Sequence, residues 1–196
     1  MSAAAIVLCG GRSRRMGQDK WSLPFGGETL LERTVRTVRE VVDEVWVVAR
    51  EGQEVDGGDY RIVRDPAEGL GPLAGLVAGL EAMGAERAFL TSCDVPFLDP
   101  LYVRRMLELS RGHPAAVPLL DGYHMSTSAV YSRAVLPIAR RLLQEERLRP
   151  LFLIREVDAL IVNETALREM DRTLASFRNC NTREAYEQAL RDAGLS

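Results

Sequence analysis

The segment Ala4–Cys9 is apolar without interruption and runs straight into the paired glycines Gly10 and Gly11. A strand with no polar face must be covered on both sides, as a central strand of a parallel sheet is. Glycines directly after such a strand let the chain turn sharply and leave its N–H groups free to approach anionic oxygens. The start of the chain therefore predicts a layered α/β fold with an anion-binding turn at one edge of the sheet.

The remaining segments agree with that frame. Thr29 and Glu32 have the spacing of a capping box for a helix through Val42. Val45–Ala49 and Arg61–Val63 read as strands, and Pro72 opens a helix to about Met83. Ala88–Cys93 returns as a strand, after which Asp99-Pro100 caps and starts another helix. Ala115–Leu119 and Met125–Tyr131 are strand-like, Ala134–Gln144 is helical, and Leu160–Val162 is a late strand. Asn181, with Glu184 three residues on, starts a last helix ending near Gly194. Strands alternating with helices predict a Rossmann-like three-layer sandwich around a mostly parallel central sheet. The 196 residues suit one domain, and no repeat or linker divides them.

Ligands of open α/β sheets bind outside the carboxyl ends of the strands. That rule selects the loop after Cys9, the segment after Val63, the turn after Cys93 and the loop before the last helix. Arg12, Arg14, Arg15 and Lys20 crowd into nine residues of the first loop, on a chain whose net charge is −3. A cationic cluster on an acidic protein points to a small anionic ligand and gives no reason to expect nucleic acid. No apolar run approaches the roughly 20 residues of a membrane helix. Residues 1–9 lack a basic leader region, so the cytoplasm is the expected compartment and no membrane partner is expected. Cys9, Cys93 and Cys180 have no CxxC spacing and read as small buried hydrophobes at strand ends.

The first loop has the wrong order for a Walker A motif, and no G-x-G-x-x-G is present. Arg15 and Lys20 can neutralise a polyphosphate, the first as a bidentate fork and the second as a point charge. Asp94, straight after a buried strand, can hold Mg²⁺, since oxygen ligands suit that hard ion. Asp65, after the short strand, can accept from N–H or hydroxyl donors of a ligand, and an Asx turn before Pro66 competes with that reading. Asn181 reads equally as a helix cap or as a site residue beside Asn179. His113 reads as surface loop, whereas His124, between two strand-like segments, can meet a second substrate.

The series Leu8-Cys9-Gly10-Gly11-Arg12-Ser13-Arg14-Arg15-Met16-Gly17-Gln18-Asp19-Lys20 resembles the signature of the pyrophosphorylase-type nucleotidyltransferases. The likeness continues through Asp65-Pro66 with Gly71–Leu76, Cys93-Asp94-Val95-Pro96, and Asn179 to Thr182. Within that group it is most similar to the molybdenum cofactor guanylyltransferases. The resemblance implies transfer of GMP from GTP to the terminal phosphate of molybdopterin, bare or carrying molybdenum, with Mg²⁺ as cofactor. It assigns Leu8, Cys9, Gly10, Gly11, Lys20, Asp65 and Asp94 to the nucleotide and Asp94 to the metal. Arg15, Lys20 and Asp94 take the catalytic roles, and Asn179, Asn181 and His124 the acceptor side. Proteins that deliver or accept the cofactor are implied partners. At the end of the second strand, where Val48 stands in VWVVAR, no base contact carries over. A CTP-dependent enzyme of the same fold and a catalytically silent nucleotide-binding adaptor are the rival readings.

Overall fold

The computed structural model describes residues 2–10, 19–55, 58–65 and 70–195. In chain order the strands are β1 (Ala3–Leu8), β2 (Pro24–Phe25), β3 (Glu28–Thr29), β4 (Glu44–Ala49), β5 (Arg61–Arg64), β6 (Arg87–Ser92), β7 (Ala115–Leu120), β8 (Tyr123–His124), β9 (Ala129–Ser132) and β10 (Leu160–Val162). The helices are α1 (Leu30–Arg39), α2 (Gly71–Ala82), α3 (Pro100–Leu109), α4 (Leu136–Gln144), α5 (Pro150–Glu156), α6 (Glu164–Met170) and α7 (Arg183–Asp192). None of the described helices is long and apolar enough to cross a membrane.

One eight-stranded sheet runs in the order β10-β7-β9-β6-β1-β4-β5, with β8 paired to β7. β1 is parallel to β4 and β6, β4 to β5, and β7 to β10. β9 is antiparallel to both neighbours, and β8 is antiparallel to β7, so the sheet is mostly parallel as expected. Successive β1 side chains face opposite layers. Ala5 and Val7 pack with Val35 and Val38 of α1 and with Tyr102 and Met106 of α3. Ala4 and Ile6 pack with Leu76 and Leu80 of α2 and with Ala139 and Leu142 of α4. Helices thus cover both faces, and β1 has no polar side because it has no exposed side.

Several boundaries differ from the sequence reading. The Thr29–Glu32 capping box forms, but α1 ends at Arg39, because the closing bonds from Glu40 and Val41 reach back only to Thr37 and Val38. Residues 125–128 are a turn closed by Ser128 N–H on the Met125 carbonyl at 3.0 Å, and the strand starts at Ala129. α4 begins at Leu136 after a 3-10 turn, Arg133–Val135. Asn181 does not cap α7: the Thr182 hydroxyl accepts from Ala185 N–H and fills that role. The hairpin β2–β3, β8, α5 and α6 are additional elements.

α2 lies hard against β1. A Cβ at Gly75 would come within 2.6 Å of Leu8 Cδ2, one atom at the end of a flexible side chain. At Gly79 it would lie 2.7–2.8 Å from three atoms of Ile6 at once. Ile is stiff at χ1, so it cannot swing aside. Overpacking costs about 1–3 kcal/mol, against about 1 kcal/mol gained in helix propensity on replacing Gly by Ala. Gly79→Ala should therefore lower the denaturant midpoint, whereas Gly75→Ala should be close to neutral. Equal midpoints for the two variants would contradict this packing.

Candidate active site

β1 sits where the strand order reverses, with β4 and β5 on one side and β6 on the other. Ligand crevices form outside the carboxyl ends at such a point. Leu8 is level with Val48 of β4 and Ser92 of β6, so the strand ends are flush. The ladder continues past them through Cys9 N–H on Val48 O (2.9 Å), Cys93 N–H on Leu8 O (3.1 Å) and Asp65 N–H on Ala49 O (2.8 Å). Leu8, Cys9, Gly10, Asp65 and Asp94 are thereby placed along one rim. A Cβ at Gly10 would meet the Arg50 backbone nitrogen at 3.2 Å, a packing reason for glycine beside its conformational one.

Asp94 is the centre of the rim and is only 6% exposed. Its Oδ1 accepts the Ser92 hydroxyl at 2.6 Å and its Oδ2 accepts Lys20 Nζ at 2.8 Å. Lys20 also donates to Asn181 Oδ1. The Asp94 carbonyl accepts Cys180 N–H at 2.8 Å, which brings the 179–181 segment across the end of β6. A small apolar cluster of Leu23, Phe25, Leu30, Cys180 and Ala189 holds the same two segments together from behind. Local packing after Lys20 and before Asn181 therefore sets the distance between a cation and two oxygen acceptors, which lie 74 and 161 residues away in sequence.

Lys20 is the only lysine in the chain; every other permanently cationic side chain is arginine. An ammonium is compact and can serve acceptors in different directions, whereas a guanidinium presents a planar fork. Lysine at this one position matches a point charge shared between Asp94 and Asn181.

Cys93 and Cys180 are not nucleophiles here. A hydrogen bond from the Cys93 S–H to Cys9, together with burial, raises the Cys93 thiol well above its ordinary value, and burial pushes Cys180 up to about 11. Neutral thiols at working pH serve as packing, as the sequence suggests. The donor set around Asp94 is of another kind. Its carboxylate, the Asn181 carbonyl oxygen and the Ser92 hydroxyl are hard oxygens that suit Mg²⁺. Among the described residues no group of three or more His, Cys, Asp or Glu is placed to hold a metal. A single carboxylate completed by substrate phosphates is a common way of holding Mg²⁺.

Of the other residues singled out from sequence, Asn179 is exposed on the approach to Cys180. His124, half-buried, pairs with Leu119 at the carboxyl end of β7, on the same edge of the sheet but with β9 between β7 and β6. Gly11 and Arg15 lie outside the described residues. Four residues carry the rim without having been singled out. Ser92 had a signal, since it stands two positions before Asp94 where a strand repeats its facing. Asp19 sits next to Lys20, yet its partner Arg50 is 31 residues away. Gln53, 5% exposed, donates to the Cys9 carbonyl at 3.2 Å, and nothing local to it announces that contact.

The model of the MobA-like NTP transferase domain matches residues 5–160. A probable molybdenum cofactor guanylyltransferase of Methanosarcina mazei is 34% identical, over 95% of this chain and 89% of that protein. Its counterpart from Methanosarcina acetivorans is 35% identical, over 96% and 90%. Among solved structures, molybdopterin-guanine dinucleotide biosynthesis protein A from Archaeoglobus fulgidus superposes with a TM-score of 0.85 at 23% identity, over 100% of both chains.

Proposed function

This chain belongs to the MobA-like NTP transferase family, and on that premise we propose that it transfers GMP from GTP to the terminal phosphate of molybdopterin, bare or carrying molybdenum, releasing pyrophosphate. The observation that carries the reading is the Lys20–Asp94–Asn181 cluster at the carboxyl ends of β1 and β6.

The acceptor phosphate needs no strong base, because a phosphate monoester loses its second proton near pH 6. Its oxygen attacks the α-phosphorus of GTP while the bond to the bridging α–β oxygen breaks, and pyrophosphate leaves with that electron pair. Repulsion between two anions is the obstacle, so the protein's task is to align them and to spread their charge. Main-chain N–H groups of Gly10 and Gly11, with Arg15 and Lys20, receive the triphosphate. Lys20 stabilises the charge gathering on the leaving group. Mg²⁺, held by Asp94 with Asn181 and Ser92 beside it, would screen the phosphates and fix their geometry when bound. Asp65 at the end of β5 receives guanine or ribose. Asn179 and His124 face the acceptor side, with Asn181 between the two substrates. The reaction belongs in the cytoplasm.

Nucleotide choice tests the reading. GTP with Mg²⁺ should raise the melting temperature, since a ligand at 100 times its dissociation constant adds about 2.7 kcal/mol. CTP at the same concentration should do clearly less. A larger shift with CTP would overturn the guanylyl assignment and leave the fold untouched. Pyrophosphate release with GTP and molybdopterin separates an enzyme from a binding-only adaptor.

A further inference from the structure

The turn at residues 50–53 touches both ends of the glycine loop. At the entry, Gln53 Nε2 donates to the Cys9 carbonyl at 3.2 Å, and the Arg50 backbone lies against Gly10. At the exit, Arg50 Nη2 bonds both carboxylate oxygens of Asp19, at 3.0 and 2.9 Å. The turn is itself braced. Gln53 Oε1 accepts Arg50 N–H at 3.2 Å, and Arg64 Nη1 donates to the carbonyls of Gln53 (2.7 Å) and Arg50 (3.2 Å). Asp19 is therefore tied to the β4 side of the crevice, while its neighbour Lys20 is tied to the β6 side through Asp94. The dipeptide spans the carboxyl end of β1 as a strap with an ion pair at each end.

We propose that Arg50 is a positioning residue that acts through Asp19: the pair fixes where the strap starts and thereby aims Lys20 at the phosphates. The proposal rests on the nucleotidyl-transfer reading for its kinetic consequence but not for its geometry. Arg50 has one guanidinium, and two of its hydrogen bonds are spent on Asp19, so its charge is already neutralised. A side chain that merely added charge to a triphosphate site would gain nothing from that partner. One nitrogen, Arg50 Nη2, spans both oxygens of Asp19, and a charge-assisted contact of this kind is stronger than a neutral hydrogen bond. Part of each side chain is exposed, 27% for Arg50 and 32% for Asp19, so the pair contributes little to global stability. What it controls is local.

The test uses Arg50→Met, Asp19→Asn, the double variant and Arg50→Lys in the full chain, with two readouts. The first needs no activity. Because Lys20 is the only lysine, its acylation by an N-hydroxysuccinimide ester, followed by peptide mass spectrometry at fixed pH, reports one ε-amine alone. Arg50→Met and Asp19→Asn should each speed Lys20 labelling several-fold, with melting temperatures close to wild type. The second readout is pyrophosphate release. Each single variant should lose about tenfold in kcat with a smaller change in KM for GTP. The double variant should be no worse than either single one, and Arg50→Lys should recover part of the loss. Unchanged Lys20 labelling would overturn the proposal. So would additive losses in the double variant, which would mean that Arg50 meets the substrate directly. If Arg50→Met fails to fold, Arg50→Gln and Asp19→Asn carry the same comparison, with Arg50→Lys kept for the kinetic readout alone. A wild-type chain without GMP transfer would overturn the functional reading instead, and the labelling result would still decide whether Arg50 holds Lys20.

Discussion

Asp94→Asn is expected to fold normally and to keep less than about a hundredth of wild-type transfer, a loss of roughly 2.7 kcal/mol in transition-state stabilisation. Asparagine retains an oxygen for the Ser92 hydroxyl, now at 2.6 Å from Asp94 Oδ1. Its amide nitrogen replaces the oxygen that accepts Lys20, so two donors would face each other. Lys20 keeps its bond to Asn181 and is 22% exposed, which lets water soften the mismatch. The stability cost should stay near 1 kcal/mol, or about 2–4 °C in melting temperature for a chain of this size. Calorimetry and pyrophosphate release on the same preparation check both halves. Added Mg²⁺ should rescue activity only partly, because the lost oxygen also sets position. Retention of more than about a tenth of wild-type turnover would remove Asp94 from the metal and leave it a structural acceptor.

Lys20 gives the second large effect. Lys20→Met keeps the length of the stem and deletes the ammonium, which should cost about 1.5–3 kcal/mol, or roughly 10- to 150-fold in kcat/KM. Lys20→Arg is the sharper comparison. The charge survives, but a planar fork has to serve Asp94 Oδ2 and Asn181 Oδ1, where a single nitrogen now bonds both. Arginine should therefore fall within about threefold of methionine, not of wild type, if placement rather than charge is what matters. Near-normal turnover with arginine would reduce Lys20 to a neutralising charge and weaken the case for a strap that aims it. A variant that unfolds yet keeps full turnover per folded molecule would make Lys20 structural.

What could be read from the amino-acid order was what is decided locally. The apolar run of β1, the Thr29–Glu32 box of α1 and the Asp99-Pro100 start of α3 are each fixed by neighbours within a few residues, and each forms. Asp94 was visible because a strand end followed by a turn places its next side chains at the sheet's rim, and Lys20 because it belongs to a cationic cluster on an acidic chain. The hairpin β2–β3 left one local mark, Gly26-Gly27, both at positive φ. Its strands are two residues long, too short for alternation to show. α6 also had a mark, since the Asn163 side chain caps it by accepting from Ala166 N–H at 3.0 Å. Asn181 and Thr182 are both good caps, and only a tertiary contact chooses between them: Lys20 claims the asparagine, which leaves the threonine for α7. The antiparallel direction of β9 and the pairing of Arg50 with Asp19 have no local signature. Both follow from where the chain has gone in between.

The backbone bond from Cys180 to the Asp94 carbonyl joins the rim to a segment that the polypeptide supplies late. During synthesis, β1, β4, β5 and β6 are all made while the partner of Lys20 at position 181 has yet to leave the ribosome. A nascent chain that has passed residue 160 has the whole of the span matched by the family model, yet has no Asn181 and lacks Cys180 and Ala189, which complete the cluster around Leu23 and Phe25. The Lys20–Asp94–Asn181 cluster is thus the last part of the rim to be completed, after most of the strands have been made. Chains released before residue 181 would carry Lys20 and Asp94 without the third member of that cluster.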